Sequence, residues 1–228
     1  MTVGPPVELV IFDCDGVLVD TERIAVRTHV ALGAEYGWPM TPHEVIEEFV
    51  GRSTASIAEK IAARLGSTTA EAWDERFREL HRVAVDEELE AVDGVVEALD
   101  AIDLPCCVAS SGSHPKMRHT LGRTGLYDRF EGRIFSAGEV ERGKPAPDLF
   151  LHAADRMGVL PQRCAVVEDS RPGVLAARAA GMRAFGYAGG VTPAERLEGP
   201  GTVVFTAMSA LPALLGTRAP VAPPVHHS

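Results

Sequence analysis

The sequence predicts an α/β fold, a parallel sheet with a helical insertion behind its first strand. Three observations carry this expectation. Short apolar runs of strand length alternate with longer helical patterns along the second half of the chain. Several of those runs are apolar throughout, the mark of strands covered on both faces. After Asp20 the rhythm breaks, and no convincing strand appears until residue 105.

In chain order, residues 7–12, 105–109, 133–136, 164–167, 183–187 and 203–206 read as strands. Helices are expected at about 113–124, 146–158, 171–181 and 207–215, so each later strand feeds a helix in right-handed crossovers. Within the break, residues 53–65 have an N-cap candidate in Ser53, one apolar face and a closing Gly66. Thr68 and Glu71 resemble a capping box opening a helix through about Leu89. The chain therefore divides into a discontinuous core, residues 1–20 and 94–228, and a helical insert, residues 21–93. Residues 216–228, rich in Pro and Ala, read as a loose tail whose His226-His227 pair is expected to be incidental rather than metal-binding.

The chain has 228 residues, with 22 Lys+Arg against 32 Asp+Glu for a net charge of −10. Hydrophobic residues at 46% and charged residues at 24% exclude wholesale disorder. An acidic chain is a poor partner for nucleic acid or an anionic membrane, and neither is expected. To handle an anion it must gather positive charge locally. The four cysteines form no CxxC and sit in apolar runs, where a reduced, buried thiol is expected rather than a disulfide or zinc. The N-terminus lacks the features of a signal peptide, and no apolar run approaches the roughly 18 residues of a membrane span. These point to a reducing cytoplasm.

Four strand ends carry the chemistry. The first strand runs into Asp13-Cys14-Asp15-Gly16, and the two-residue period lets both carboxylates project from its carboxyl end. Two such charges need a cation between them or a proton on one, which suits one as nucleophile or ligand and the other as acid/base. A second apolar strand ends in Glu168-Asp169, the missing half of a Mg²⁺ site. A third ends in Ser110-Ser111-Gly112, a turn able to aim N–H groups and a hydroxyl at an anion. Lys144, beside Pro145 and close to Pro147, supplies an ammonium on a stiffened loop. Together these are a phosphate site with its metal. The sequence has neither GxxxxGK[ST] nor a strand-linked GxGxxG, against P-loop and dinucleotide readings.

The motifs DCDGVLVDTE, Ser110, GKPAPDLF and VVEDSRPGV, in that order, resemble the four motifs of the haloacid dehalogenase-like hydrolase superfamily. The insert resembles the cap of its beta-phosphoglucomutase-like subgroup. The resemblance implies a Rossmann-like core roofed by an inserted α-helical cap domain. It implies that Asp13 attacks phosphorus and that Asp15 serves as acid and then base. Mg²⁺ would be held by Asp13, the Asp15 backbone carbonyl and Asp169, with Glu168 direct or through water. Ser110 and Lys144 would hold the phosphoryl oxygens, supported by Ser111 and Gly112. Gly51, Arg52 and Ser53 resemble the cap loop facing the core site, which makes Arg52 and Ser53 substrate-side candidates, with Glu22 and His114 as further ones.

The subgroup holds phosphatases and sugar-phosphate mutases. Such mutases typically carry a His where this chain has Ala25 and an Arg where it has Thr54. The chain looks more like sugar-phosphate phosphatases of the 6-phosphogluconate phosphatase type. Hydrolysis of a small phosphorylated metabolite is therefore expected, with the mutase as the alternative and a monomer favoured. A signalling receiver domain, which also phosphorylates an Asp beside Mg²⁺, is about half this length and has no cap. A catalytically idle sugar-phosphate binder would not keep every catalytic group.

Overall fold

In a computed structural model, the structure describes residues 5–52 and 54–216. The sheet begins with β1 (Leu9–Phe12), followed by the helices α1 (Thr21–Glu35), α2 (Pro42–Phe49), α3 (Thr54–Leu65), α4 (Ser67–Glu88) and the short α5 (Val95–Asp100). Then come β2 (Cys106–Ser110), α6 (His114–Arg123), α7 (Tyr127–Phe130), β3 (Ile134–Ser136), α8 (Asp148–Arg156) and β4 (Cys164–Glu168). The chain continues through α9 (Arg171–Ala179), β5 (Arg183–Tyr187), β6 (Thr202–Phe205) and α10 (Leu211–Leu215). All strand pairs are parallel, in the order β3-β2-β1-β4-β5-β6. The α/β expectation is met, and the order is that of a Rossmann-like sheet.

The two-residue period explains why the strands are apolar throughout. Val10, Phe12, Val108, Ala165 and Val167 pack on one face of the sheet, against α5, α6 and the end of α4. Leu9, Ile11, Cys107, Ala109 and Val166 pack on the other, against α8 and α9. All four cysteines are free; Cys14, Cys107 and Cys164 are buried and Cys106 is half-buried. No helix among the described residues is long and apolar enough to cross a membrane.

Helices α1 to α4 bury an apolar cluster of their own around Trp73, Phe49, Leu32 and Ile61. The chain leaves the sheet and returns to it side by side: Asp20 N donates to Glu90 O at 3.1 Å and Val92 N to Leu18 O at 3.0 Å. The expected capping box at Thr68 does not form. Gly66 alone separates α3 from α4 and stands at the N-cap with φ of 91° and no side-chain cap, so Thr68 already lies inside the helix. A capping box forms instead at Thr41 and Glu44, where Thr41 N donates to Glu44 Oε2 at 2.7 Å. Ser53 and residues 217–228, including the expected tail and its histidines, lie outside the described residues.

Candidate active site

Because β1 lies between β2 and β4, its neighbours' connections diverge and leave a crevice at the carboxyl ends of the strands. Asp13 follows β1 directly, with its backbone N donating to Val167 O at 3.0 Å. Ser110 closes β2 and Glu168 closes β4, with Asp169 next. Lys144 enters from the loop before α8. Its Nζ donates to Asp13 Oδ1 at 2.6 Å and Glu168 Oε1 at 2.7 Å, and lies 4.9 Å from the Phe150 ring centroid. The lysine side chain is 4% exposed, so the three charges share one water-poor space.

Glu168 has both oxygens occupied, since its Oε2 accepts from Ser170 N at 2.7 Å and Ser170 Oγ at 2.8 Å. Asp13, Glu168 and Asp169 each offer an oxygen, and these atoms all lie within 4.8 Å of one another. Burial pushes Asp13 up to about 7, against the pull of Lys144 and with the push of Glu168 and Asp15. Burial pushes Asp169 well above the usual carboxylate range, and Glu168, Glu22 and Asp13 add to it. Lys144 is held above the usual ammonium range by Asp13 and Glu168, whose pull outweighs the larger single effect of burial. One ammonium against three buried carboxylates leaves negative charge that a hard cation would neutralise. The all-oxygen donor set fits Mg²⁺ and offers no nitrogen or sulfur to a softer metal.

Asp15 is held differently. Its Oδ1 accepts from Thr21 Oγ1 at 2.8 Å and its Oδ2 from Lys116 Nζ at 2.7 Å. Burial works to raise this carboxyl, but Lys116 and the two hydrogen bonds prevail and hold it below its ordinary value. The turn after β2 is tied down from both sides. Gly112 N donates to Ser110 Oγ at 3.1 Å, and Ser136 Oγ of β3 donates to Gly112 O at 2.7 Å.

Above these groups lies a cavity of about 790 Å³ whose floor is the sheet crevice and whose walls come from α1 to α4. On the wall, burial pushes Glu22 up to about 7, and Asp15 pushes the same way. His29 lies deeper, its Nδ1 accepting from Trp73 Nε1 at 3.2 Å, with its ring stacked on Phe77 at 4.2 Å.

The model of the haloacid dehalogenase-like hydrolases matches residues 7–181. The chain belongs to this family. It is 36% identical to the 6-phosphogluconate phosphatase of Escherichia coli (strain K12), over 93% of this chain and 96% of that one. A conserved haloacid dehalogenase-like protein from Agrobacterium tumefaciens shares the fold with a TM-score of 0.85 at 36% identity, covering 92% of this chain and 98% of that chain. A haloacid dehalogenase family hydrolase from Deinococcus radiodurans, solved with bound phosphate and sodium, superposes with a TM-score of 0.79 at 29% identity, covering 92% of this chain and 96% of that one. The expectations of family and of hydrolase are met.

Of the residues expected at a haloacid dehalogenase-like site, the fold gathers Asp13, Asp15, Ser110, Ser111, Gly112, Lys144, Glu168 and Asp169 around one cavity, with Glu22, Gly51 and Arg52 on its wall. Ser53 lies outside the described residues. His114 is elsewhere, a correction to the expectation. It opens α6 with its Nε2 2.8 Å from Glu139 Oε1, and it lines a separate depression with Arg118 and Tyr127. Two residues along a helix face opposite ways, so the start of α6 that turns Lys116 inward turns His114 outward. Sequence reasoning missed Lys116 and Thr21, the partners of Asp15, and His81, which lines the cavity. For Lys116 a signal existed: it stands in the first turn behind the Ser113 N-cap, where the helix dipole disfavours a cation without a partner.

Proposed function

We propose that this chain is a Mg²⁺-dependent phosphatase that hydrolyses small phosphorylated metabolites, sugar phosphates among them, through an aspartyl-phosphate on Asp13. The observation that carries the reading is the Asp13 carboxylate, 2.6 Å from Lys144 Nζ and within 4.8 Å of ligand oxygens on Glu168 and Asp169. Asp13 attacks phosphorus and the ester P–O bond breaks. Asp15 gives the leaving oxygen its proton, then takes one from the water that displaces Asp13 and releases phosphate. Ser110, Lys144 and the N–H groups near Ser111 and Gly112 bind the phosphoryl oxygens. Asp13, Asp169 and the Asp15 backbone carbonyl would hold Mg²⁺, which would supply the positive charge that lets an anionic nucleophile meet an anionic phosphate. Both Glu168 oxygens have protein partners, which supports its acting through water.

In this reading residues 21–93 are a cap whose wall residues, Arg52 foremost, choose the leaving group, and the enzyme works in a reducing cytoplasm. The mutase alternative is disfavoured because Ala25 and Thr54 line the cavity without the His and Arg such mutases carry there. The nearest histidine of α1, His29, already accepts from Trp73.

The test is phosphate release from a panel of phosphate esters, beta-glucose 1-phosphate included. Release with Mg²⁺ is expected, ended by a chelator and by Asp13→Asn. Isomerised sugar phosphate with little free phosphate would install the mutase instead, and sustained turnover without divalent metal would sink the mechanism.

A further inference from the structure

The chain contains 19 arginines and only three lysines, Lys60, Lys116 and Lys144. Two of those three touch the two acids of the proposed chemistry, Lys144 on Asp13 and Lys116 on Asp15. A chain that places guanidinium nearly everywhere else keeps a compact ammonium at these positions. An ammonium is a point charge with rotatable donors, able to fit beside one carboxylate oxygen where a planar fork needs two.

The Lys116 contact is one half of a clamp. Thr21, the first residue of α1, donates to Asp15 Oδ1, while Lys116, from the first turn of α6, donates to Oδ2. One donor comes from the helix that leaves the sheet after β1 and the other from the helix after β2. Both carboxylate oxygens are thus engaged and the plane of the group is set. Lys116 pays for this by standing against the dipole of its own helix. Its side chain is still 45% exposed, since it lies in the cavity wall and not in the core.

Resting on the phosphatase reading, we propose that Lys116 is a positioning residue: it clamps Asp15 with Thr21 so that the carboxyl group meets the leaving oxygen of the ester. The role is specific to proton transfer. An alkyl phosphate must receive a proton as its P–O bond breaks, whereas p-nitrophenolate departs as a stable anion and has little need of Asp15. In the step that expels the leaving group, loss of the clamp therefore selects between esters, whereas the later attack of water, which also uses Asp15, is common to both.

Wild-type turnover of glycerol 3-phosphate and p-nitrophenyl phosphate, measured first, tests the phosphatase reading by itself; no turnover of either overturns that reading and this proposal together. In Lys116→Met, the single-turnover rate of alcohol release from the alkyl ester falls by about a hundredfold, and that of p-nitrophenolate from the aryl ester by at most about tenfold. KM on both changes by less than about threefold. Thr21→Val removes the other donor and shows the same leaving-group signature. Equal losses on the two esters, an effect confined to KM, or unchanged rates with both variants folded would overturn the role.

Discussion

A β-carbon on Gly16 would lie 2.1 Å from Asp169 Oδ2. The glycine that closes the first motif is therefore the floor on which the last motif's acid rests, two strand ends meeting where neither allows a side chain between them. The arrangement repeats at Gly173 in α9, where a β-carbon would lie 1.8 Å from the Glu168 carboxyl carbon. The acid cluster is built as much from these absent atoms as from the carboxylates.

Gly16→Ala tests that dependence. Gly16 has φ of 78°, so a side chain there costs about 1–2 kcal/mol in backbone strain and also displaces Asp169. The Mg²⁺ concentration for half-maximal phosphate release should rise by about tenfold to a hundredfold, in line with other groups that orient metal ligands. A variant that needs no more Mg²⁺ than wild type would separate Gly16 from the cation site.

His29 predicts a pH dependence of folding away from the acid cluster. Burial, with His81 adding to it, pushes its imidazole down to about 4 from the ordinary value of 6.5. The folded protein keeps it neutral while the unfolded chain protonates it. Its contribution is present above pH 6.5 and is lost as pH falls from there toward 4. Wild type should therefore lose about 2–3 kcal/mol between pH 7.5 and 4.5 that His29→Gln does not lose, since Gln keeps an acceptor for Trp73 and has no charge to gain. Urea unfolding at the two pH values measures it, and equal losses in both proteins would refute it.

What the sequence made legible follows from physical simplicity. Strands buried on both faces are plain apolar runs, so β1, β2, β4 and β5 stand within about two residues of their expected bounds. Three of the four chemical motifs were legible because each closes a strand, and a parallel sheet brings strand ends together without further information; the fourth, Lys144, comes from the loop before α8 and was marked by its neighbouring prolines. Lys116 was not, because its role depends on the direction of α6 relative to Asp15, a tertiary fact. His114 failed for the same reason, two residues away on the other side of that helix. The expected box at Thr68 was a local signal overridden by the single-residue turn at Gly66. Helix α5, of six residues, is too short for a periodic pattern.

Arg52 predicts a binding effect separate from chemistry. It lies on the cavity wall between α2 and α3, and its backbone N donates to Phe49 O at 3.1 Å, which fixes the turn that presents it. A residue that touches only the non-reacting part of the substrate supports ground state and transition state alike. Arg52→Ala should raise KM for sugar phosphates by about tenfold with kcat changed by less than about threefold. A fall in kcat at constant KM would move Arg52 from recognition into the reacting centre.

The acid cluster predicts that metal-free protein is strained by its own carboxylates. Asp169 sits among Asp13, Glu168 and Glu22, buried, with Lys144 as the cation held among them. Asp169→Asn removes one repelling charge and keeps the shape. In a chelator this variant should melt above wild type, because the fold no longer has to hold that carboxylate in place. With Mg²⁺ the order should reverse. A cation at a hundredfold its Kd stabilises the protein that binds it by about 2.7 kcal/mol, about 5–10 °C in a chain of this size. Wild type should show that rise and Asp169→Asn should not. Thermal melts of both proteins in chelator and in Mg²⁺ decide it: a variant that is less stable without metal and still rises with Mg²⁺ would take Asp169 out of the cation site.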